Sequence, residues 1–187
     1  MMRHNPDRDL LLGKKIDPRF AMPALHQALR IGIYDEFRAQ EAYRAAMRRF
    51  GPVKPFVNIE RSEGRHIAAL ASLLGKYRVP MPMNDWTDKI EVPADFAGCC
   101  ALGMQAEIDN AAMYAGFLVY ALPSDAVLVM TNLRDASWNN HLSAFRRCSG
   151  VAGQSGKGLL LAGLAVGAAA LLYLGVKHDR ARKLVPI

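Results

Sequence analysis

Apolar residues recur every three or four positions in four long stretches of the chain, and this spacing predicts four amphipathic helices. Proline and glycine interrupt the pattern between them, as at Gly51-Pro52. The predicted helices cover residues 24–50, 55–77, 94–120 and 124–148. The sequence therefore predicts an all-α fold.

The connections between these predicted helices differ in length. Two are short, whereas residues 78–93 make one longer, proline-containing connection between the second and third helices. Helices of similar length joined by short loops pack as an antiparallel four-helix bundle, and one class of bundle has a single long crossover. We expect such a bundle over residues 24–148, preceded by an irregular arm over residues 1–23.

A different pattern follows the predicted bundle. After a Gly/Ser linker at residues 149–157, residues 158–176 contain no charged side chain. A helix of this length would span about 28 Å, close to the thickness of the hydrocarbon core of a bilayer. The sequence therefore predicts a single C-terminal transmembrane helix, followed by a basic tail at residues 177–187. The alternative is a buried core helix or hairpin.

The N-terminal region lacks the apolar stretch of a signal peptide, because its only apolar run is Leu10–Leu12. We therefore expect a single-pass membrane protein with the bundle in the cytoplasm. The basic tail itself favours the cytoplasm, and basic residues on the other side of the segment nearly balance it. The sequence leaves the orientation open.

The composition narrows the function classes. With 24 Lys and Arg against 17 Asp and Glu, the net charge is +7. The basic residues lie in separate groups, so nucleic acid is not an expected partner. Hydrophobic residues make up 51% of the chain, which excludes a disordered protein.

Acidic and histidine residues at helical spacing indicate a metal site in the bundle. Bundles with a di-metal centre take one Glu from each of two helices and Glu-x-x-His from each of the other two. The second predicted helix has such a motif within its apolar stripe, and the first and third each carry Glu followed seven residues later by Tyr43 or Tyr114. The predicted metal ligands are Glu36, Glu63, His66, Glu107 and His141.

The fourth predicted helix departs from this pattern. A second Glu-x-x-His motif ending at His141 would have Glu at position 138, but the residue there is Trp138. Arg134 lies on the same predicted face as His141, and its charge could replace that of a missing ion. Glu60, one turn before the second-helix motif, is assigned to the solvated face, with an auxiliary ligand as the alternative. We expect Tyr43 and Tyr114 to be core aromatics with hydroxyls near the polar centre.

Two of the three cysteines are expected to be neighbours. Cys100 lies two turns before Glu107, and Cys148 lies two turns after His141, toward the same end of an antiparallel helix pair. Two interpretations stay open for this pair: small buried thiols, or a disulfide or redox pair.

Four runs carry a family resemblance: DEFRAQEAY, NIERSEGRHIAALASLLGKYRVPMP, AEIDNAAMY and NLRDASWNNHLSAFRRC. They resemble the ferritin-like superfamily, and in particular its rubrerythrin-related branch of bacterial domains. The resemblance covers residues 24–148. It implies a ferritin-like bundle in which the matching glutamates and histidines bind one or two iron or manganese ions.

The resemblance also implies a function, a di-iron-carboxylate oxidoreductase acting on peroxide, oxygen or iron. The alternative is a degenerate, non-catalytic bundle that binds a partner or stores or senses metal at the membrane. No rubredoxin-like four-cysteine module is present, so an enzyme would need an external electron donor. The other expected partners are a lipid bilayer and a second copy of the chain.

Overall fold

The helices form where the apolar spacing predicts them. The computed structural model describes residues 5–150, and no strand occurs among them. A π-helical turn, Ala136–His141, joins the last two helices into one rod. The helices are α1 Arg8–Gly13, α2 Ala24–Phe50, α3 Phe56–Lys76, α4 Phe96–Phe117, α5 Ser124–Asp135 and α6 Leu142–Cys148.

Local chemistry sets the helix ends. The Asp95 side chain accepts a hydrogen bond of 2.7 Å from the Gly98 amide and caps the start of α4. Gly51 ends α2 with φ of 83°, a backbone conformation that glycine adopts without steric cost. These two positions explain why the predicted and observed bounds nearly coincide.

Contacts at the two ends of the bundle give the helix directions. At one end, the ring of Phe56 at the start of α3 lies 5.7 Å from Phe96 at the start of α4 and 5.5 Å from Phe145 in α6. At the other end, Tyr77 after α3 donates a hydrogen bond of 2.6 Å to Asp125 at the start of α5. Helices α3 and α4 therefore run in the same direction.

Since α3 and α4 are parallel, the segment between them has to travel the length of the bundle. This crossover lies along α2 throughout. Three α2 side chains donate hydrogen bonds to it in chain order, Arg30 to the Pro80 carbonyl, Tyr34 to Asp85 and Arg49 to the Ala94 carbonyl. The long connection predicted from the sequence is thus a strap that covers one side of α2.

The sequence predicted an irregular N-terminal arm, but part of this arm is helical. Residues 8–13 form α1, with Leu10 and Leu11 buried in the core. Asp7 holds the buried Arg30 guanidinium through two contacts of 2.6 Å. The apolar run Leu10–Leu12 thus belongs to a short helix of six residues that packs on α2.

The predicted membrane location is corrected. Within residues 5–150, no helix is both long enough and apolar enough to cross a bilayer. Even α4, the most apolar long helix, carries Glu107 and Asp109. The segment 158–176, on which the prediction rested, lies outside the described residues, as do the tail and most of the linker.

The apolar core has two parts. One cluster includes Leu29, Leu70 and Tyr114 near the start of α2, and the other includes Tyr43, Phe56 and Phe145 near its end. The five predicted metal ligands are buried polar residues that lie between these clusters along the helices. The bundle thus has a polar layer enclosed by two apolar ones.

Gly103 permits the close approach of α4 and α6. A methyl group at this position would lie 2.5 Å from the Phe145 ring, whereas one at Gly116 in the same helix would meet nothing within 4 Å. We expect Gly103→Ala to lower the free energy of unfolding by about 1–3 kcal/mol through overpacking. Gly116→Ala should raise it by up to about 1 kcal/mol through helix propensity. Urea unfolding of the full chain measures both, and equal midpoints would contradict this packing.

Candidate metal centre

The five predicted ligands meet in the middle of the bundle. Glu36 comes from α2, Glu63 and His66 from α3, Glu107 from α4, and His141 from the end of the π-helical turn. None of them is more than 7% exposed. Helical spacing on each element places these side chains on its inward face, and the antiparallel packing brings the faces together.

The cluster divides into two half-sites that share Glu63. In the first half-site, Nδ1 of His66 lies 2.7 Å from one Glu63 oxygen and 3.3 Å from Glu36. In the second half-site, Nδ1 of His141 lies 3.2 Å from the other Glu63 oxygen and 3.2 Å from Glu107. Glu63 therefore presents one carboxylate oxygen to each half-site.

The donor atoms are close enough for metal binding. Within each half-site, one ligand atom from each residue lies within 4.8 Å of the others, so both groups could hold an ion. The two imidazole rings stack with centroids 5.5 Å apart. Carboxylate and imidazole together suit iron, manganese and zinc better than calcium, which takes oxygen ligands alone.

Two tyrosines donate hydrogen bonds to the outer carboxylates, which are those of Glu36 and Glu107, and each tyrosine bonds to the glutamate on the other's helix. Tyr43, on the helix of Glu36, donates a hydrogen bond of 2.5 Å to Glu107. Tyr114, on the helix of Glu107, donates one of 2.6 Å to Glu36. Each tyrosine occupies one oxygen of its glutamate and leaves the other oxygen toward a histidine. The prediction that these hydroxyls lie near the polar centre is confirmed.

The π-helical turn changes which residue faces the site. Ser137 is 1% exposed and points inward, whereas Trp138 is 52% exposed. Counting three residues back from His141 assumes α-helical geometry, and the wider turn places the residue four positions back on the inner face instead. Trp138, which the motif spacing placed at the position of the missing glutamate, therefore faces away from the centre. Ser137 lies where a fourth carboxylate would be expected.

Asn110 is a residue that the sequence analysis missed. Its amide donates to Glu36 at 3.2 Å and to Asp35 at 3.3 Å, and its carbonyl oxygen accepts a hydrogen bond of 2.9 Å from Ser137. Asp35 in turn forms a 2.6 Å ion pair with Lys14, just after α1. Asn110 follows Glu107 by three residues in α4, and this spacing is the signal that would have placed it at the site.

Two other predicted roles can be compared with the structure. Arg134 pairs with the neighbouring Asp135 at 2.8 Å and is 35% exposed, so it does not supply its charge to the centre as expected. Glu60 pairs with Arg44 at 2.9 Å, and its side chain is 17% exposed, so it is partly buried and does not lie on a fully solvated face.

The pKa values of Glu63 and Glu36 shift in opposite directions. Burial raises the pKa of Glu63, and the nearby charge of Glu36 raises it further, to about 8. Burial also acts to raise the pKa of Glu36, but hydrogen bonds from His66, Glu63 and Tyr114 outweigh it and lower the pKa to about 2. The shared glutamate is therefore the one that carries a proton at neutral pH.

The carboxylates keep both imidazoles protonated. Burial alone would lower the pKa of His66, but hydrogen bonds to Glu36 and Glu63 raise it to about 10. The same opposition at His141, with Glu107 and Glu63 as partners, raises its pKa to about 9. In the metal-free centre, protons thus occupy the place that cations could take.

Cys100 and Cys148 are neighbours, as the two-turn offsets predicted. They form a disulfide with Cα atoms 5.7 Å apart at the end of the bundle that contains Phe56 and Phe145. Cys99 is a buried free thiol, and burial raises its pKa. The redox role of the pair stays a prediction.

Comparisons with known proteins give the fold and no family. No protein-family model matches the chain, and no curated protein does either. A solved structure, the hypothetical protein MJ0754 from Methanococcus jannaschii DSM 2661, is similar with a TM-score of 0.63. The match has 18% sequence identity and covers 84% of this chain and 97% of the other. At this identity the likeness concerns the helical architecture alone.

The raised pKa values of Glu63, His66 and His141 predict that cation binding releases protons. All three groups are protonated below pH 8, and each has to lose its proton to become a ligand. We therefore expect Mn²⁺ affinity to increase from pH 6.5 to 8.5, by up to about tenfold per pH unit for each proton released. Titration calorimetry in buffers of different ionisation enthalpy counts the protons. A pH-independent affinity would contradict the protonated resting state.

The inward position of Ser137 can be tested against that of Trp138. Ser137→Asp adds a fourth carboxylate beside the centre, so we expect about tenfold tighter Mn²⁺ binding, at the lower end of effects around metal ligands. Trp138→Glu places the same charge on the surface and should leave the affinity within about twofold, since exposed charges are screened. A larger gain for Trp138→Glu would show that an ordinary α-helical turn is present.

Proposed function

We propose that this chain is a ferritin-like protein that holds one or two iron or manganese ions and acts as an oxidoreductase on peroxide, oxygen or iron. The observation that carries the proposal is the convergence of three carboxylates and two imidazoles in the buried middle of the bundle. The parallel α3 and α4 with a lengthwise crossover, together with the sequence resemblance, support the ferritin-like assignment.

The donor set fits such ions. Three carboxylates brought together away from water repel one another, and unpaired buried charge is costly. Bound divalent cations would replace the protons on Glu63, His66 and His141 as the positive charge that compensates these carboxylates. Glu63 would serve both ions, with Glu36 and His66 completing the first half-site and Glu107 and His141 the second.

The two half-sites are not equivalent. Glu36 is held by both Tyr114 and Asn110, whereas Glu107 is held by Tyr43. His141 also ends a π-helical turn, while His66 lies within the regular helix α3. Better-fixed ligands lose less conformational freedom on binding. We therefore expect the first half-site to bind its ion more tightly than the second.

The bound ions would supply electron transfer to or from oxygen species. The protein's own residues orient the ligands and exclude water from the site. Tyr43 and Tyr114 orient the outer carboxylates, and burial keeps the pKa of both phenols well above the ordinary value, so they remain hydrogen-bond donors. The apolar clusters on either side exclude water, which limits the escape of reactive species.

A specific observation favours the second candidate function, a bundle that binds metal without catalysis. Ser137 and Asn110, both neutral, occupy the place of a fourth carboxylate. With three carboxylates, two divalent ions would leave the centre with one excess positive charge. Such a centre would store or sense a single ion in the first half-site.

Metal analysis of matched variants separates these functions. Glu63→Gln removes the shared ligand, so it should abolish binding of both ions. His141→Gln should reduce the stoichiometry from two toward one. Glu60→Gln, one turn away in α3 and paired with Arg44, should leave it unchanged. The measurements are iron and manganese content after loading, followed by rates of peroxide, oxygen and ferrous-ion consumption.

Each outcome decides between the candidates. Two ions with turnover that Glu63→Gln abolishes would support the oxidoreductase. One ion without turnover would favour the storage or sensing bundle. A wild-type chain that stays metal-free in saturating iron and manganese would overturn the proposal.

A further inference from the structure

The disulfide joins the two segments that carry Glu107 and His141, two of the three ligands of the second half-site. Cys100 lies seven residues before Glu107 on α4, and Cys148 lies seven residues after His141 on α6. Each interval is about 10 Å along a helix axis. The cross-link therefore ties Glu107 and His141 together two turns away from their own contact of 3.2 Å.

Within the described residues, the segment after His141 is held to the bundle through one short helix. Helix α6 has seven residues and follows the π-helical turn, and Cys148 is its last residue. Only Leu142 and Phe145 are buried within α6. A helix of seven residues that buries two side chains opens at a lower free-energy cost than the long helices of the bundle. The disulfide between Cys148 and Cys100 adds a covalent attachment of α6 to α4.

Phe145 extends the effect to Glu107. Its ring lies against Gly103 of α4 and 5.2 Å from the ring of Tyr43, whose hydroxyl holds Glu107. A displacement of α6 would thus loosen His141 directly and Glu107 through Tyr43. The corresponding ligands of the first half-site, Glu36 and His66, come from α2 and α3, which the disulfide does not join.

Cys148 is the more exposed of the two cysteines in the disulfide. Cys100 is fully buried, whereas Cys148 is partly exposed and follows the exposed Arg146 and Arg147. These cations favour the approach of a thiolate. Attack on Sγ of Cys148 forms a mixed disulfide and releases Cys100 as a thiolate, which takes up a proton. A second thiol then releases Cys148, so two external thiols become one external disulfide.

We propose that the Cys100–Cys148 pair is a redox site that controls the metal affinity of the second half-site, with tight binding when oxidised and weak binding when reduced. This inference rests on the proposed metal-binding function. Because coupling between two sites is reciprocal, an ion in the second half-site must also favour the disulfide over the dithiol by the same factor.

The experiment measures Mn²⁺ binding to full-length variants that each keep one half-site. Mn²⁺ is suitable because it prefers carboxylate to thiolate, so the reduced cysteines do not compete for it. Reduction by a phosphine should weaken binding to His66→Gln, which keeps the second half-site, by about tenfold, within the usual range for coupled sites. His141→Gln, which keeps the first half-site, should bind equally in both states, and Cys99→Ala should behave as the wild type.

A second measurement tests the reciprocal effect in the wild type, with His141→Gln as the control. In glutathione buffers of known thiol to disulfide ratio, Mn²⁺ should raise the oxidised fraction of Cys100 and Cys148 in the wild type but not in His141→Gln. Circular dichroism of the reduced chain checks that the bundle remains folded.

The outcomes are distinct. If Mn²⁺ binds with the same affinity in both redox states, or if reduction weakens both half-sites equally, the coupling is overturned while the proposed function stands. If no ion binds in either state, the proposed function itself fails.

Discussion

The shared carboxylate of Glu63 is the constraint around which this bundle is organised. It lies between two other buried carboxylates, and its two oxygens face different histidines. Like charges at such spacing cannot all remain ionised away from water without compensating positive charge. The stacked imidazoles, the reciprocal tyrosine hydrogen bonds and the two enclosing apolar clusters are all arranged around that requirement.

Much of this arrangement follows from sequence periodicity. The four long helical segments, the lengthwise connection and the five converging ligands could be predicted because helical spacing fixes which residues share a face. The proximity of Cys100 and Cys148 followed from the same reasoning, once α4 and α6 were taken as antiparallel. These are properties that repeat regularly along a helix.

The features that could not be predicted are those that break the regular repeat. A π-helical turn has no clear sequence signature, so the motif spacing assigned the inward position to Trp138 and not to Ser137. Arg134 was considered as a substitute for the charge of a missing ion, but it pairs with its neighbour Asp135 instead. The role of Asn110 depends on three partners from two other segments, and such a network arises only from tertiary packing. The membrane location, inferred from one apolar stretch, found no support among the described helices.

The distribution of ligands between the two helical hairpins has a consequence for biogenesis. The hairpin of α2 and α3 contains all three ligands of the first half-site. The hairpin of α4 to α6 contains two ligands of the second half-site, and the third, Glu63, comes from α3. Protein chains emerge from the ribosome N-terminus first. A metal ion could therefore meet a complete set of ligands while the second hairpin is still being translated, and the order of ion loading would follow the order of synthesis.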